Sequence, residues 1–214
     1  MMRDINRYSI GSAIKQTEQV NGFYHVSFDL KQTVSIEDLL GRMLSLEKID
    51  NNGNNYTANV HLSLFLMPSN LSVSYQFLSS DPISKEWLDC ISENDQFVLT
   101  TSSVLPPPIT IPADDKPCVI LADATLLANA FALAKVRQHA PAKTVVFLHA
   151  KRFPFMPKPA RFWAPEMPDE AIGASSLLED WGIINRLASD ELIAGCFQGN
   201  LSTLYQEWAQ HIDN

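Results

Sequence analysis

Cys118-Val-Ile-Leu-Ala-Asp123-Ala-Thr125-Leu-Leu-Ala-Asn-Ala-Phe-Ala-Leu-Ala-Lys135 is the stretch on which the reading of this chain turns. A short apolar run stops at Ala122, polar groups stand at Asp123 and Thr125, and an alanine- and leucine-rich run follows. That pattern predicts a buried strand, a tight turn and a helix start, the opening unit of an open parallel sheet. In such sheets dinucleotides bind beyond the carboxyl ends of strands, against helix N-termini. Downstream, Lys143–Ala150 reads as a second buried strand with Lys151 and Arg152 at its carboxyl end. Phe153 to Pro168 is proline-rich and aromatic, too irregular for a regular element. Ser175–Leu187 reads as a helix, with Leu177, Leu178, Trp181, Ile184 and Leu187 on one stripe. Glu191–Phe197 reads as a third short strand, running into Gly195-Cys196-Phe197-Gln198-Gly199-Asn200, and Ser202 or Asn200 caps a last helix to about Ile212. Alternation of strand and helix predicts a parallel α/β domain.

The residues before this domain read differently. Leu105-Pro-Pro-Pro-Ile-Thr-Ile-Pro-Ala-Asp-Asp-Lys-Pro117 cannot join a central strand or helix, so it reads as a stiff extended connector between domains. Residues 1–105 have a β pattern. Ser12–Thr17 and Phe23–Leu30 alternate around a hairpin turn at Val20-Asn21-Gly22. Leu39–Ile49 reads as a strand after a turn at Gly41, and Asp50–Asn55 as a polar loop. Val60–Leu66 and Leu71–Leu78 flank a second turn, Met67-Pro-Ser-Asn70. Ser84 reads as the N-cap of a short helix carrying Trp87, Leu88 and Ile91 inward, and Gln96–Ser102 as a further strand. Together these predict a small closed or half-closed antiparallel β-barrel, followed by the α/β domain over residues 117–214.

Composition narrows the function classes. The chain has 214 residues, 46% hydrophobic, and no apolar run near the roughly 20 residues that span a bilayer. Met1-Met-Arg-Asp-Ile-Asn-Arg7 has no apolar core of a secretion signal. Its three cysteines, Cys90, Cys118 and Cys196, are odd in number and widely spaced, which argues for a reducing, cytoplasmic setting and against a disulfide framework or a zinc site. The net charge of −8 argues against general nucleic-acid binding. Charge is uneven: seven Lys/Arg and no acid lie between Lys135 and Arg161, and seven acids against Arg186 alone between Glu166 and Glu191.

A small barrel with a Ser-capped helix, a connector and a parallel α/β domain resembles the ferredoxin–NADP reductase superfamily, nearest to its siderophore-interacting and flavin-reductase branches. Ser84-Lys-Glu-Trp87-Leu88 followed by Asn94-Asp95-Gln-Phe-Val resembles the family segment whose helix N-terminus holds the flavin pyrophosphate. Asp123-Ala-Thr125-Leu-Leu127 resembles the Asp-Glu-Thr-Ala-Leu turn of siderophore-interacting proteins, and Gly195-Cys196-Phe197 the Cys-Gly-Pro turn near the nicotinamide, in altered order. The resemblance implies an NAD(P)H-dependent flavin oxidoreductase with FAD (or FMN) between the domains. Its ring would lie near His61 and Ser63 and its pyrophosphate at Ser84. NADPH would approach across Asp123, Thr125, Gly195 and Cys196, with its 2′-phosphate near Lys151 and Arg152. Cys196 would stand beside the hydride path. The implied partners are an electron-acceptor protein or a ferric chelate, with no metal of the protein's own.

The chain also departs from the family. Its Arg-x-Tyr-Ser/Thr motif should fall at Val60–Leu64, where His61-Leu62-Ser63-Leu64 stands, and the Gly-Gly-Thr-Gly turn is absent. Each site residue therefore keeps a plainer reading: Ser84 and Asp123–Thr125 as helix caps, Lys151 and Arg152 as a solvated basic loop, His61 as a strand residue, Cys196 as a buried small hydrophobe. Phe153, Phe155, Phe162 and Trp163, interleaved with Lys151, Arg152, Lys158 and Arg161, pack a loop or leave room for an anionic aromatic ligand or a protein partner. The alternative to a reductase is a degenerate, non-catalytic fold that binds a protein or small anion.

Overall fold

The computed structural model describes residues 6–50, 52–69, 74–89, 96–101 and 111–212, which form two compact units divided between Ile109 and Thr110. Cys90, Ile91, Asn94 and Asp95, the residues from Asn70 to Val73, and the proline-rich segment up to Thr110 lie outside the described residues.

The amino-terminal unit contains β1 (Arg7–Ser9), β2 (Lys15–Glu18), β3 (Tyr24–Phe28), α1 (Ile36–Leu39), β4 (Leu44–Ile49), β5 (Asn55–Leu66), β6 (Tyr75–Ser79), α2 (Lys85–Asp89) and β7 (Gln96–Thr101). Its strands form one antiparallel sheet in the order β1-β7-β4-β5-β6-β3-β2. An isolated bridge between Ile10 and Leu30 draws the β1 and β3 ends together without a continuous ladder, so the sheet is barrel-like but not closed. Alternation does the folding. Ala58, Val60, Leu62 and Leu64 of β5 point inward and are buried, and Phe28 stacks on Phe77 at 4.8 Å in the interior.

The turns follow from residues that tolerate positive φ. Asn21 (φ 60°) and Gly22 (φ 75°) connect β2 to β3 as the hairpin reading expects. Asp50 closes its loop by accepting the Asn52 and Asn54 amides at 2.9 and 2.8 Å. One expectation is corrected here. Leu39 belongs to α1, because Ser35 caps that turn by accepting the Asp38 amide at 3.3 Å, and the strand begins only at Leu44.

The carboxyl-terminal unit contains β8 (Cys118–Ala122), α3 (Leu127–Val136), β9 (Thr144–His149), β10 (Lys158–Pro159), β11 (Gly173–Ala174), α4 (Ser176–Asp180), β12 (Ile184–Ser189), β13 (Phe197–Gln198) and α5 (Leu201–Ile212). Its main sheet is parallel throughout, in the order β13-β12-β9-β8, with β10 and β11 paired apart. Register partners share a face. Cys118, Ile120 and Ala122 are buried on the face that carries α3, while Phe147, Ala188 and Phe197 pack with Leu204 of α5 on the other. On that second face Val119 and Leu121 of β8 stay 40% and 42% exposed.

Two expectations fail in this unit. The helix expected over Ser175–Leu187 is only α4, and Ile184–Ser189 is a central strand. Gly182, at φ 77°, ends the helix in the left-handed region, and the apolar residues beyond it are buried on both sheet faces. The strand expected over Glu191–Phe197 is mostly turn, with β13 limited to Phe197–Gln198. Asn200 is the cap of α5, accepting the Thr203 amide at 2.9 Å.

Arg137, at the end of α3, is 0% exposed. Its guanidinium donates to Pro112 O (3.0 Å), Ala113 O (2.5 Å), Lys116 O (2.7 Å) and Thr144 Oγ1 (3.3 Å). It thereby pins the segment entering β8 to the helix that leaves it. Arg137→Met keeps the aliphatic bulk and removes these donors, and is expected to lower stability by about 2–3 kcal/mol. Urea unfolding followed by circular dichroism measures it, and a loss within about 0.5 kcal/mol contradicts the pinning role.

Candidate functional site

Because β8, β9 and β12 run parallel, their carboxyl ends lie on one edge of the sheet, and the polar residues that follow each strand gather there. After β8, Asp123 folds back on its own turn. Its Oδ1 accepts the Thr125 amide at 3.1 Å and the Thr125 hydroxyl at 2.7 Å, while its carbonyl accepts the Leu126 amide at 3.0 Å. Asp123 and Thr125 are thus brought together as an exposed helix-entry turn.

After β9, Lys151 and Arg152 are both exposed. Lys151 Nζ stands 4.0 Å from Glu191 Oε1 beyond β12, with both side chains mostly in solvent, a pair of small energetic weight. His149 Nε2 lies 3.2 Å from Asp190 Oδ2, but at an angle that makes no hydrogen bond. His149, Asp190 and Glu191 were not singled out by the sequence. Only the correct position of β12 places Asp190 and Glu191 at a strand end.

Gly195 and Cys196 are not part of this edge turn. They enter β13, where Phe197 pairs with Ala188. Gly195, at φ 81°, accepts the Gly173 amide at 2.6 Å, and a Cβ on Gly173 would stand 2.8 Å from that same carbonyl oxygen. The glycines therefore serve a close approach of two backbones. Cys196 is buried, and burial pushes its thiol up to about 11, so it is neutral at physiological pH. Burial also raises the Cys118 thiol, against a lowering by the charge of Arg137.

In the amino-terminal unit, His61 and Ser63 alternate with the buried Leu62 and Leu64, so both face outward on β5. Ser63 pairs with Leu78, and Leu78 with His25, which puts His25 on the same outward row. His25 Nε2 is 3.0 Å from Gln76 Oε1. The alternation of Phe23–Leu30 carried the signal for His25, which lay outside the family motif. Ser84 is exposed and accepts the Trp87 amide at 3.2 Å, the N-cap expected of it.

How these residues suit a flavin and a nicotinamide nucleotide differs from place to place. The exposed bases after β9 suit a phosphate. The turn after β8 does not suit a pyrophosphate, because the Asp123 carboxylate already holds the Thr125 amide and would repel a second anion. The outward row of β5 offers polar groups to a ring, without the arginine that would neutralise a flavin phosphate.

No family model matches the chain, and no curated protein matches it in sequence. Solved structures do. The ferredoxin reductase of carbazole 1,9a-dioxygenase superposes with a TM-score of 0.53 at 13% identity, covering 94% of this chain and 56% of that one. The flavohaem-like FAD/NAD-binding domain of nitric oxide dioxygenase from Vibrio cholerae O1 biovar El Tor gives 0.52 at 9% identity, covering 90% and 78%. A siderophore-interacting protein from Acinetobacter baumannii gives 0.44 at 12% identity, covering 95% and 72%, and at that score selects no branch. The chain thus spans little more than half of the carbazole dioxygenase reductase. The fold is that of ferredoxin–NADP reductase-like proteins, at a sequence distance where fold alone is shared.

The buried, neutral thiol yields a test. At pH 8, Cys196 in the folded protein is expected to alkylate with iodoacetamide on the order of a hundredfold more slowly than free cysteine. Peptide mass mapping over time reads the rate. A rate near that of free cysteine contradicts the burial.

Proposed function

We propose that the protein is an NAD(P)H-dependent flavin oxidoreductase of the ferredoxin reductase type. The observation that carries the reading is that one chain contains a barrel-like antiparallel unit followed by a parallel α/β unit, the two folds also found in reductases of known structure. In this reading residues 1–105 take the flavin and residues 117–214 the nicotinamide nucleotide. His61 and Ser63 present their polar groups to the flavin ring, and the capped turn at Ser84 faces its pyrophosphate. Lys151 and Arg152 attract the 2′-phosphate of NADPH, which an acid at the same strand end would repel. The neutral thiol of Cys196 and the backbone at Gly195 would line the nicotinamide side. When bound, flavin supplies the redox chemistry, taking a hydride from NAD(P)H and passing electrons to an acceptor protein or a ferric chelate.

A second reading has its own observation. The Asp123 carboxylate holds the Thr125 amide and hydroxyl where a pyrophosphate would need them, which favours a fold kept for binding a protein or small anion without catalysis.

Ferricyanide reduction with added FAD or FMN tests the assignment, with NADPH and NADH compared as donors. The wild type is expected to turn over and to prefer NADPH. Lys151→Ala with Arg152→Ala is expected to raise KM for NADPH about tenfold and to leave NADH little changed. An unchanged NADPH-to-NADH ratio discards the 2′-phosphate assignment, and no turnover with either donor leaves the binding module.

A further inference from the structure

The carboxyl-terminal unit contains a cavity of about 400 Å³ that the proposed nucleotide residues do not line. Its walls come from the loop between β10 and β11, with Phe162, Trp163, Met167 and Ile172 prominent, and from Arg186 of β12. Arg186 pairs in register with Phe147 and so lies on the sheet face that carries α5.

Arg186 is 5% exposed. It donates from Nη1 to Asn185 O at 2.7 Å and from Nη2 to Phe162 O at 2.8 Å, and its buried Nε has no acceptor. Both acceptors are neutral carbonyls. The carboxylate that acts on it electrostatically is Glu179, whose oxygens are taken up by Arg161 N (2.6 Å), Arg161 Nε (3.0 Å) and Phe162 N (3.2 Å). Burial lowers the pKa of Arg186, yet a guanidinium stays charged at neutral pH. A buried cation hydrogen-bonded only to neutral carbonyls is unfavourable until an anion meets it, and Arg186 lines this cavity.

The walls say what kind of anion. Phe162, Trp163 and Ile172 are 36%, 81% and 57% exposed around one cavity, an apolar rim that a ligand would cover. Asp169 also lines it and is itself exposed, so a second negative charge at the mouth would be repelled. The volume suits a ring with a short acidic arm. We infer that this cavity binds a small aromatic monocarboxylate, its carboxylate against the guanidinium of Arg186 and its ring along Phe162 and Trp163. The inference is independent of the reductase reading, because it uses none of the same residues.

Calorimetric titration of the full chain with benzoate, benzamide and inorganic phosphate tests it, with the Trp163 indole N–H followed by NMR. Expected are saturable 1:1 benzoate binding at least about tenfold tighter than benzamide, and a shift of the Trp163 signal with the same midpoint. Arg186→Met is expected to erase the preference for benzoate, and Trp163→Ala to weaken both ring compounds. The inference is overturned if benzoate does not bind, if benzamide equals it, if phosphate binds more tightly, or if the preference survives Arg186→Met. Should Arg186→Met not fold, the comparison of ligands on the wild type and the Trp163 shift still decide.

Discussion

Parallel strands cannot be joined by tight turns, because each connection must carry the chain back across the sheet before the next strand begins. That constraint shapes the carboxyl-terminal unit. It spaces β8, β9 and β12 with long crossovers and brings their carboxyl ends to one edge, so that Asp123, Lys151 and Asp190 emerge together from distant parts of the sequence. The strands then follow one another in a single direction across the sheet, β8, β9, β12 and β13. Ligand crevices in open α/β sheets form where strand order reverses, and the described residues contain no such reversal. The edge offers charged side chains on turns.

Buried polar groups do the work that turns do elsewhere. Glu179, 4% exposed, accepts two backbone amides and the Arg161 guanidinium, and so fixes the middle of the long loop after β9. Asn185 holds the start of α4 by accepting the Ser175 amide at 2.7 Å. Arg137 holds the entry to β8 in the same way. An acid and two bases buried in one small unit give its loops defined courses, and the cavity beside Arg186 is one result.

Much of this was legible in the sequence, and the gaps have physical causes. Alternation in Phe23–Leu30 and Val60–Leu66 set the barrel-like strands, and Asn21-Gly22 set their turn, since both signals are local. The strand–turn–helix at Cys118–Val136 was equally plain. Ser175–Leu187 misled because a strand buried on both faces loses its period of two, and its apolar residues then fit a helical stripe as well. Gly182 was the signal that should have divided it. Arg186 lay hidden as the lone base in an acidic stretch, where composition says solvated surface and only the tertiary fold says interior. Gly195-Cys196 shows the converse: its residues resemble a family turn in altered order, while the close contact of Gly195 with Gly173 is set by a backbone approach no local pattern encodes.

The fold is held in common with reductases of known structure, at a sequence distance where the site residues carry the functional question. The central claim of the proposed function is that the outward row of β5 and the cap at Ser84 take a flavin. Quenching of FAD and FMN fluorescence on titration with purified protein answers it most directly. The account predicts saturable 1:1 quenching with a Kd of about 10 µM or tighter for one of the two. Fluorescence unchanged at protein concentrations ten times higher would contradict it and leave a reductase fold without its chemistry.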